Sequence, residues 1–312
     1  MSVFLDSISG VLVILVMILV GYFLARAGWF DDHSSRLIAR LVTQVALPCY
    51  MLDTITRNFT ATELSQLLPN LKFPVVSMLI LFGISVAVAR LLQIRHNRRG
   101  LFESMFFNSN TVFIGLPINM ALFGAKSVPY VLVYYMANTT FFWTLGVYLI
   151  KRDGWQTAKF NWLTTLKKIF SPPLLGFLLA VVLVLLRIQL PKFLLSDFNY
   201  IGSLTIPLSM IFIGIAIAGA GVKQLRFDRY TIGILVGRFI LAPLLMSALV
   251  LPAAVPVLMK QVFILQSAMP VMTNAPVVAK LYGADADYAA LMVTASTLLS
   301  LLVIPILMTI LR

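Results

Sequence analysis

Ser109-Asn110-Thr111-Val112-Phe113-Ile114-Gly115-Leu116-Pro117 stands in the middle of one apolar run. Ser267-Ala268-Met269-Pro270-Val271-Met272-Thr273-Asn274-Ala275-Pro276 stands in the middle of another. Each run is long enough to cross a bilayer as a helix, which takes ~20 residues. Each carries small polar residues and proline where a lipid-facing helix would carry neither. Proline removes a backbone donor and clashes with the preceding turn. Backbone freed in that way at membrane depth is tolerated only inside protein or beside a water-filled cavity. Both stretches therefore read as interruptions in membrane-crossing helices. Interrupted helices at corresponding places in two halves of a chain point to the binding site of a transporter.

Composition sets the same frame. The 312-residue chain is 60% hydrophobic and 11% charged, with a mean hydropathy of +0.97. Soluble domains use about half apolar and about a quarter charged residues. The net charge of +13 would suggest nucleic acid in a soluble protein. Here the basic residues sit in short runs between apolar segments, the pattern of loops held on the cytoplasmic side of a membrane, so no nucleic-acid partner is expected. One cysteine, Cys49, allows no intramolecular disulfide, and His33 and His96 in polar connections cannot assemble a zinc set. No metal and no cofactor are expected. No nucleophile elbow, phosphate loop or zinc motif is present, so the chain does not read as an enzyme. The first residues carry Asp6 instead of a basic leader, and residues 8–26 read as a retained span.

Apolar runs fall at about 8–26, 36–56, 69–92, 101–124, 127–150, 163–187, 200–221, 229–251, 257–283 and 286–311. The fold class expected is an all-α polytopic membrane protein of ten spans. Placing Arg90, Arg95, Arg98 and Arg99 in the cytoplasm sorts the other basic residues by alternation. Arg26, Arg36, Arg40, Lys151, Arg152, Lys159, Lys167, Lys168, Lys223, Arg226, Arg229 and Lys280 join them. Opposite lie Arg57, Lys72, Lys126, Arg187, Lys192, Lys260 and Arg312. This bias supports ten spans in the cytoplasmic membrane with both termini outside. The chain also repeats itself at an offset of 159 residues, relating Pro48 to Pro207, Met51 to Met210, Pro117 to Pro276, Leu122 to Leu281, Gly124 to Gly283 and Ala125 to Ala284. Each half then holds five spans, and an odd number inverts the second half relative to the first. The expected division is 1–151 for the first repeat, 152–162 for a short cytoplasmic linker and 163–312 for the inverted second repeat. The fourth and ninth spans are its broken, crossing helices, an arrangement like that of bile-acid symporters and sodium–proton antiporters.

The site is expected where those two spans cross. Each half-helix is read as restarting near its second proline, Pro117 or Pro276, because proline suits a helix's first turn. Two helix N-termini would then approach the midplane, each with unpaired N–H groups and about half a positive charge. Together they suit an anion. Asn110, Thr111, Ser267, Thr273 and Asn274 could add side-chain hydrogen bonds, or could only patch the broken backbone. Arg238 lies about 14 Å into the membrane, nine residues past Arg229. It either faces the cavity and attracts an anion, or snorkels or pairs with a carboxylate. Asp53 and Glu103 could carry a coupling proton; capping or a solvated helix end is the alternative. Asn138 could line the pathway or bond between helices. Gln44, one turn before Pro48 and paired by the repeat with Ser203, would lie on a kinked polar helix near the broken ones.

These residues resemble the auxin efflux carrier family of membrane transporters. The likeness rests on Asn110-Thr111-Val112-Phe113-Ile114-Gly115-Leu116-Pro117, on Gln266-Ser267-Ala268-Met269-Pro270 followed by Ala279-Lys280-Leu281-Tyr282, and on Val45-Ala46-Leu47-Pro48. It implies a scaffold from spans 1, 2, 6 and 7, through which a homodimer would form, and a transport domain from spans 3–5 and 8–10. It implies secondary transport of organic carboxylates by an elevator-like motion. Asn110 matches the family asparagine that contacts the substrate carboxylate, Pro117, Pro270 and Pro276 match positions that shape the crossing, and Gly115 beside them is a further candidate for substrate binding. The short connection between halves resembles the bacterial branch, where malate and malonate permeases occur. A proton- or sodium-coupled symporter or antiporter of another inverted-repeat family is the alternative.

Overall fold

Three prolines of this chain stand just after a widened turn of helix. A proline ring inside a helix collides with the carbonyl four residues earlier and offers no donor in return. The chain answers by widening the helix. Five-residue π-turns at Val42–Ala46, Thr111–Gly115 and Gly237–Leu241 each end two residues before a proline, namely Pro48, Pro117 and Pro243. In the first and third the closing bond spans five residues, from the Leu47 N–H to the Val42 carbonyl and from the Ala242 N–H to the Gly237 carbonyl. The extra residue moves the obstructed carbonyl aside and keeps the helix continuous. A fourth π-turn, Phe142–Gly146, has no such proline.

The computed structural model describes residues 2–154, 163, 166, 170–219 and 228–311. Most of the linker expected at 152–162 lies outside the described residues, as do Lys159, Lys167, Lys168, Lys223 and Arg226. Among the described residues the chain is all-α, apart from one antiparallel bridge between Ser109 and Val271. Four helices are long and apolar enough to cross a membrane by length and composition: Ala61–Leu91, Lys192–Gly219, Arg229–Val250 and Ala286–Ile310. Thr111–Phe123 and Val257–Ser267 are shorter apolar helices because each abuts an interruption. Apolar side chains such as Val16, Phe23, Leu244, Leu302 and Ile306 point outward, as a lipid-facing surface requires.

The chain divides into two compact units. One comprises Met1–Asn70, Val112–Val133 and Phe170–Gly219. In it, helix Ser2–Arg26 packs along Thr205–Gly219, and Leu47–Asn58 packs on Pro172–Leu185 and Lys192–Gly202. The first of these seams is closed by two glycines. A Cβ at Gly21 would overlap the Ile211 carbonyl, and one at Gly214 would overlap the Ile18 carbonyl. Small residues of this kind let membrane helices meet backbone to backbone. Asp53 is buried here and holds Arg57 and the Asn199 amide, the latter at 2.9 Å. It is therefore not the solvated helix end considered from sequence.

The other unit comprises Leu71–Thr111, Tyr134–Ile169 and Ala220–Arg312. Its core is aromatic and aliphatic, with Phe102, Phe106, Phe107 and Phe142 fully buried. Three of its charged connections meet at one end. Arg98 pairs with Asp285 at 2.6 Å and covers the Tyr288 ring at 5.3 Å. Glu103 is 1% exposed, between Arg99 at 2.9 Å and Arg152 at 3.0 Å. Glu103 too is an ion-paired buried group, not a solvated end. Asp153 accepts the Gly100 and Leu101 N–H groups at 2.9 and 2.7 Å, and burial pushes its pKa up to about 6.

Candidate functional site: the crossing of two interrupted helices

Helix His96–Phe107 stops because Asn108 turns extended, at φ −93° and ψ 135°. Helix Val257–Ser267 stops before Pro270, and no helix resumes until Ala275–Tyr282. The two unwound segments run antiparallel and share the Ser109–Val271 bridge. The Asn110 N–H donates to the Pro270 carbonyl at 2.8 Å. A proline fits that position because the bridge asks it for an acceptor and no donor.

Backbone groups left over by unwinding must find partners when buried. Side chains from neighbouring helices supply them. Asn138 acts as a substitute strand. Its Oδ1 accepts the Ser109 N–H at 2.9 Å, and its Nδ2 donates to the Ser109 carbonyl at 2.8 Å. Asn138 thus bonds from helix Val128–Phe141 to an unwound segment. Ser296 does half of this on the other segment, its Oγ accepting the Val271 N–H at 3.0 Å. Gln266 donates to the Thr111 carbonyl at 3.3 Å.

Arg238 completes the set. It is fully buried. Nε donates to the Met269 carbonyl at 3.1 Å, Nη1 to the Phe106 carbonyl at 3.3 Å, and Nη2 to the Ser267 carbonyl. Neither sequence reading described this. The guanidinium does not snorkel and, among the described residues, pairs with no carboxylate. Its donors are turned onto the backbone of the crossing.

The remaining expected residues are distributed as follows. Asn110, Thr111, Ser267 and Pro270 are buried in the crossing, while Thr273, Asn274 and Pro276 are half-buried on its exit towards Ala275–Tyr282. Pro276 is the second residue of that helix, as the first-turn preference predicts. Pro117 differs. Helical structure has already resumed at Thr111, and the π-turn Thr111–Gly115 absorbs the proline, so the helix restarts before Pro117 and not at it. Gly115 and Pro117 are buried in the first unit, where the Asn119 amide donates to the Gly115 carbonyl at 2.7 Å. Gln44 is exposed, within the π-turn Val42–Ala46 of that unit. Gln266 and Ser296 were not among the residues singled out. Gln266 was visible as part of a motif, whereas Ser296 is one hydroxyl in a long apolar helix and gave no signal.

Comparison with known proteins adds the family. The family described as membrane transport protein matches residues 6–308. An uncharacterized transporter of Methanocaldococcus jannaschii is 28% identical over 304 residues, covering 94% of this chain and 95% of the relative. An uncharacterized transporter of Methanothermobacter thermautotrophicus is 27% identical over 316 residues, covering 97% and 98%. The chain belongs to the membrane transport protein family, the auxin efflux carriers that its motifs resemble. A carrier of a different family is thereby displaced as a reading.

Proposed function

We propose that this chain, as a member of that family, is a secondary active transporter of small organic anions, carboxylates of the size of malate. The substrate carboxylate is held at the crossing, and an elevator-type alternating access carries it across the cytoplasmic membrane. Ten spans form two inverted five-helix repeats, with both termini outside. Spans 3–5 and 8–10 carry the substrate; spans 1, 2, 6 and 7 anchor the protein in the bilayer, as a homodimer.

The observation that carries this reading is the crossing itself. Two unwound segments meet with their backbone largely satisfied by side chains, which leaves Asn110, Thr111, Thr273 and Asn274 beside helix starts. Helix starts hold unpaired N–H groups and a partial positive charge, and so suit a carboxylate without a basic contact residue. The meeting of the 92–99, 151–154 and 283–286 connections at one end of their unit supports the alternation of spans. Uptake of radiolabelled L-malate into proteoliposomes tests the proposal, with a pH gradient or with internal malate or lactate. Saturable uptake is expected. Folded protein that takes up no member of a carboxylate panel, indole acetate included, would sink it.

A further inference from the structure

Arg238 stands where two helix ends and an unwound carbonyl meet. Phe106 is the penultimate residue of His96–Phe107, Ser267 is the last residue of Val257–Ser267, and Met269 follows in the unwound segment. The last carbonyls of a helix have no partner within it, and each helix end carries about half a negative charge. Two such ends together present about one negative charge, which one guanidinium balances. The helix bearing Arg238 must come close for this. A Cβ on the adjacent Gly237 would overlap the Phe106 ring, and the π-turn Gly237–Leu241 sets the local twist.

In carriers built on discontinuous helices, unwound carbonyls and the C-terminal ends of half-helices are the ligands of the coupling cation. The same kind of oxygen is gathered here around a side chain. We propose that Arg238 is a tethered cation: it occupies the carbonyl-lined position at which a mobile alkali ion would otherwise bind. The crossing is then charge-complete without a metal ion, and removal of the guanidinium converts it into a site that requires an added cation. The fork geometry matters as well as the charge. Three nitrogens at fixed angles reach three carbonyls, which a single ammonium reaches less well. The inference rests on the transport reading only for the crossing's importance to function; the cation site itself follows from the contacts.

The test reads unfolding of the purified full-length protein in detergent, so it stands apart from any failure of malate uptake. Wild type, R238A, R238K and R238Q are melted in choline, sodium or potassium chloride at equal ionic strength, and in choline with millimolar guanidinium. Wild type is expected to unfold at one temperature in all of them. R238A should unfold about 10 °C lower in choline, and sodium or guanidinium should restore at least half of that shift, saturably. R238K should lie nearer wild type than R238Q, because a tethered charge, not a neutral and shorter hydrogen-bonding chain, is what the carbonyls need. Should R238A fail to fold, the order of R238K and R238Q decides. R238A stability that no cation raises, R238Q as stable as R238K, or a wild type stabilised saturably by sodium would each overturn the proposal.

Discussion

The crossing in one unit and the glycine seam in the other both bring backbone against backbone, and they do so by opposite means. At the seam the helices stay intact. Ser2–Arg26 and Thr205–Gly219 run unbroken, and contact is made by the absence of side chains at Gly21 and Gly214. At the crossing the helices give way. Their freed groups are taken up by Asn138, Ser296 and Arg238, reaching in from other helices, and by Gln266, which reaches across from one interrupted helix to the other segment. A seam of the first kind has nothing to exchange with a ligand. A crossing of the second kind is made of directed donors and acceptors with polar neighbours, which is what recognition of a small anion needs. On the proposed reading, rigidity belongs to the seam and substrate recognition to the crossing.

Mutations should separate the two. The largest effect is expected from Gly214→Leu, which sets a branched side chain against the Ile18 carbonyl. Overpacking of this kind costs about 3 kcal/mol, and the purified protein should unfold far lower or not fold. The milder Gly214→Ala should lower the unfolding temperature and leave the KM for substrate untouched; a changed KM would break the division of roles. Next comes Asn138→Ala. It strands both the N–H and the carbonyl of Ser109, and at about 1 kcal/mol for each buried group the loss is about 2 kcal/mol. Unlike the seam variants, it should weaken substrate binding along with stability, as titration against the thermal shift would register. Ser296→Ala frees only the Val271 N–H and should cost about 1–2 kcal/mol.

A further effect is one of pH, away from both regions. Burial raises the folded-state pKa of Asp153 from 3.8 to about 6. Its contribution to stability is full below pH ~4 and is lost as the pH rises through ~6. Asp153→Asn should flatten that part of a thermal stability profile; a profile unaltered by the substitution would show that the Asp153 carboxylate does not titrate there.

Much of the fold was legible in the residues, and the reasons are local. Proline with small polar neighbours in an apolar run marks an interruption, and both interruptions are where those residues stand. The form of the prolines was less legible. Pro48, Pro117 and Pro243 each follow a π-turn, a widening that depends on how the whole helix is held. That is why the helix restarts at Thr111 and not at Pro117. The site was legible by half. Asn110, Thr111, Ser267, Pro270 and Asn138 all lie at the crossing. The partners of Arg238 were hidden, because they are backbone carbonyls, and a carbonyl left over by unwinding has no letter in the sequence. Glu103 shows the same limit with side chains. Arg99, four residues away on one helix, could be paired with it by eye; Arg152, 49 residues away, could not.

Whether the crossing holds the substrate is decided by L-malate uptake in proteoliposomes that contain equal amounts of wild-type, Asn110→Ala or Gly214→Ala protein. Saturable uptake is expected from wild type, loss of uptake from Asn110→Ala, and a wild-type KM from the less stable Gly214→Ala. Asn110→Ala protein that takes up malate with the wild-type KM would contradict a substrate site at the crossing.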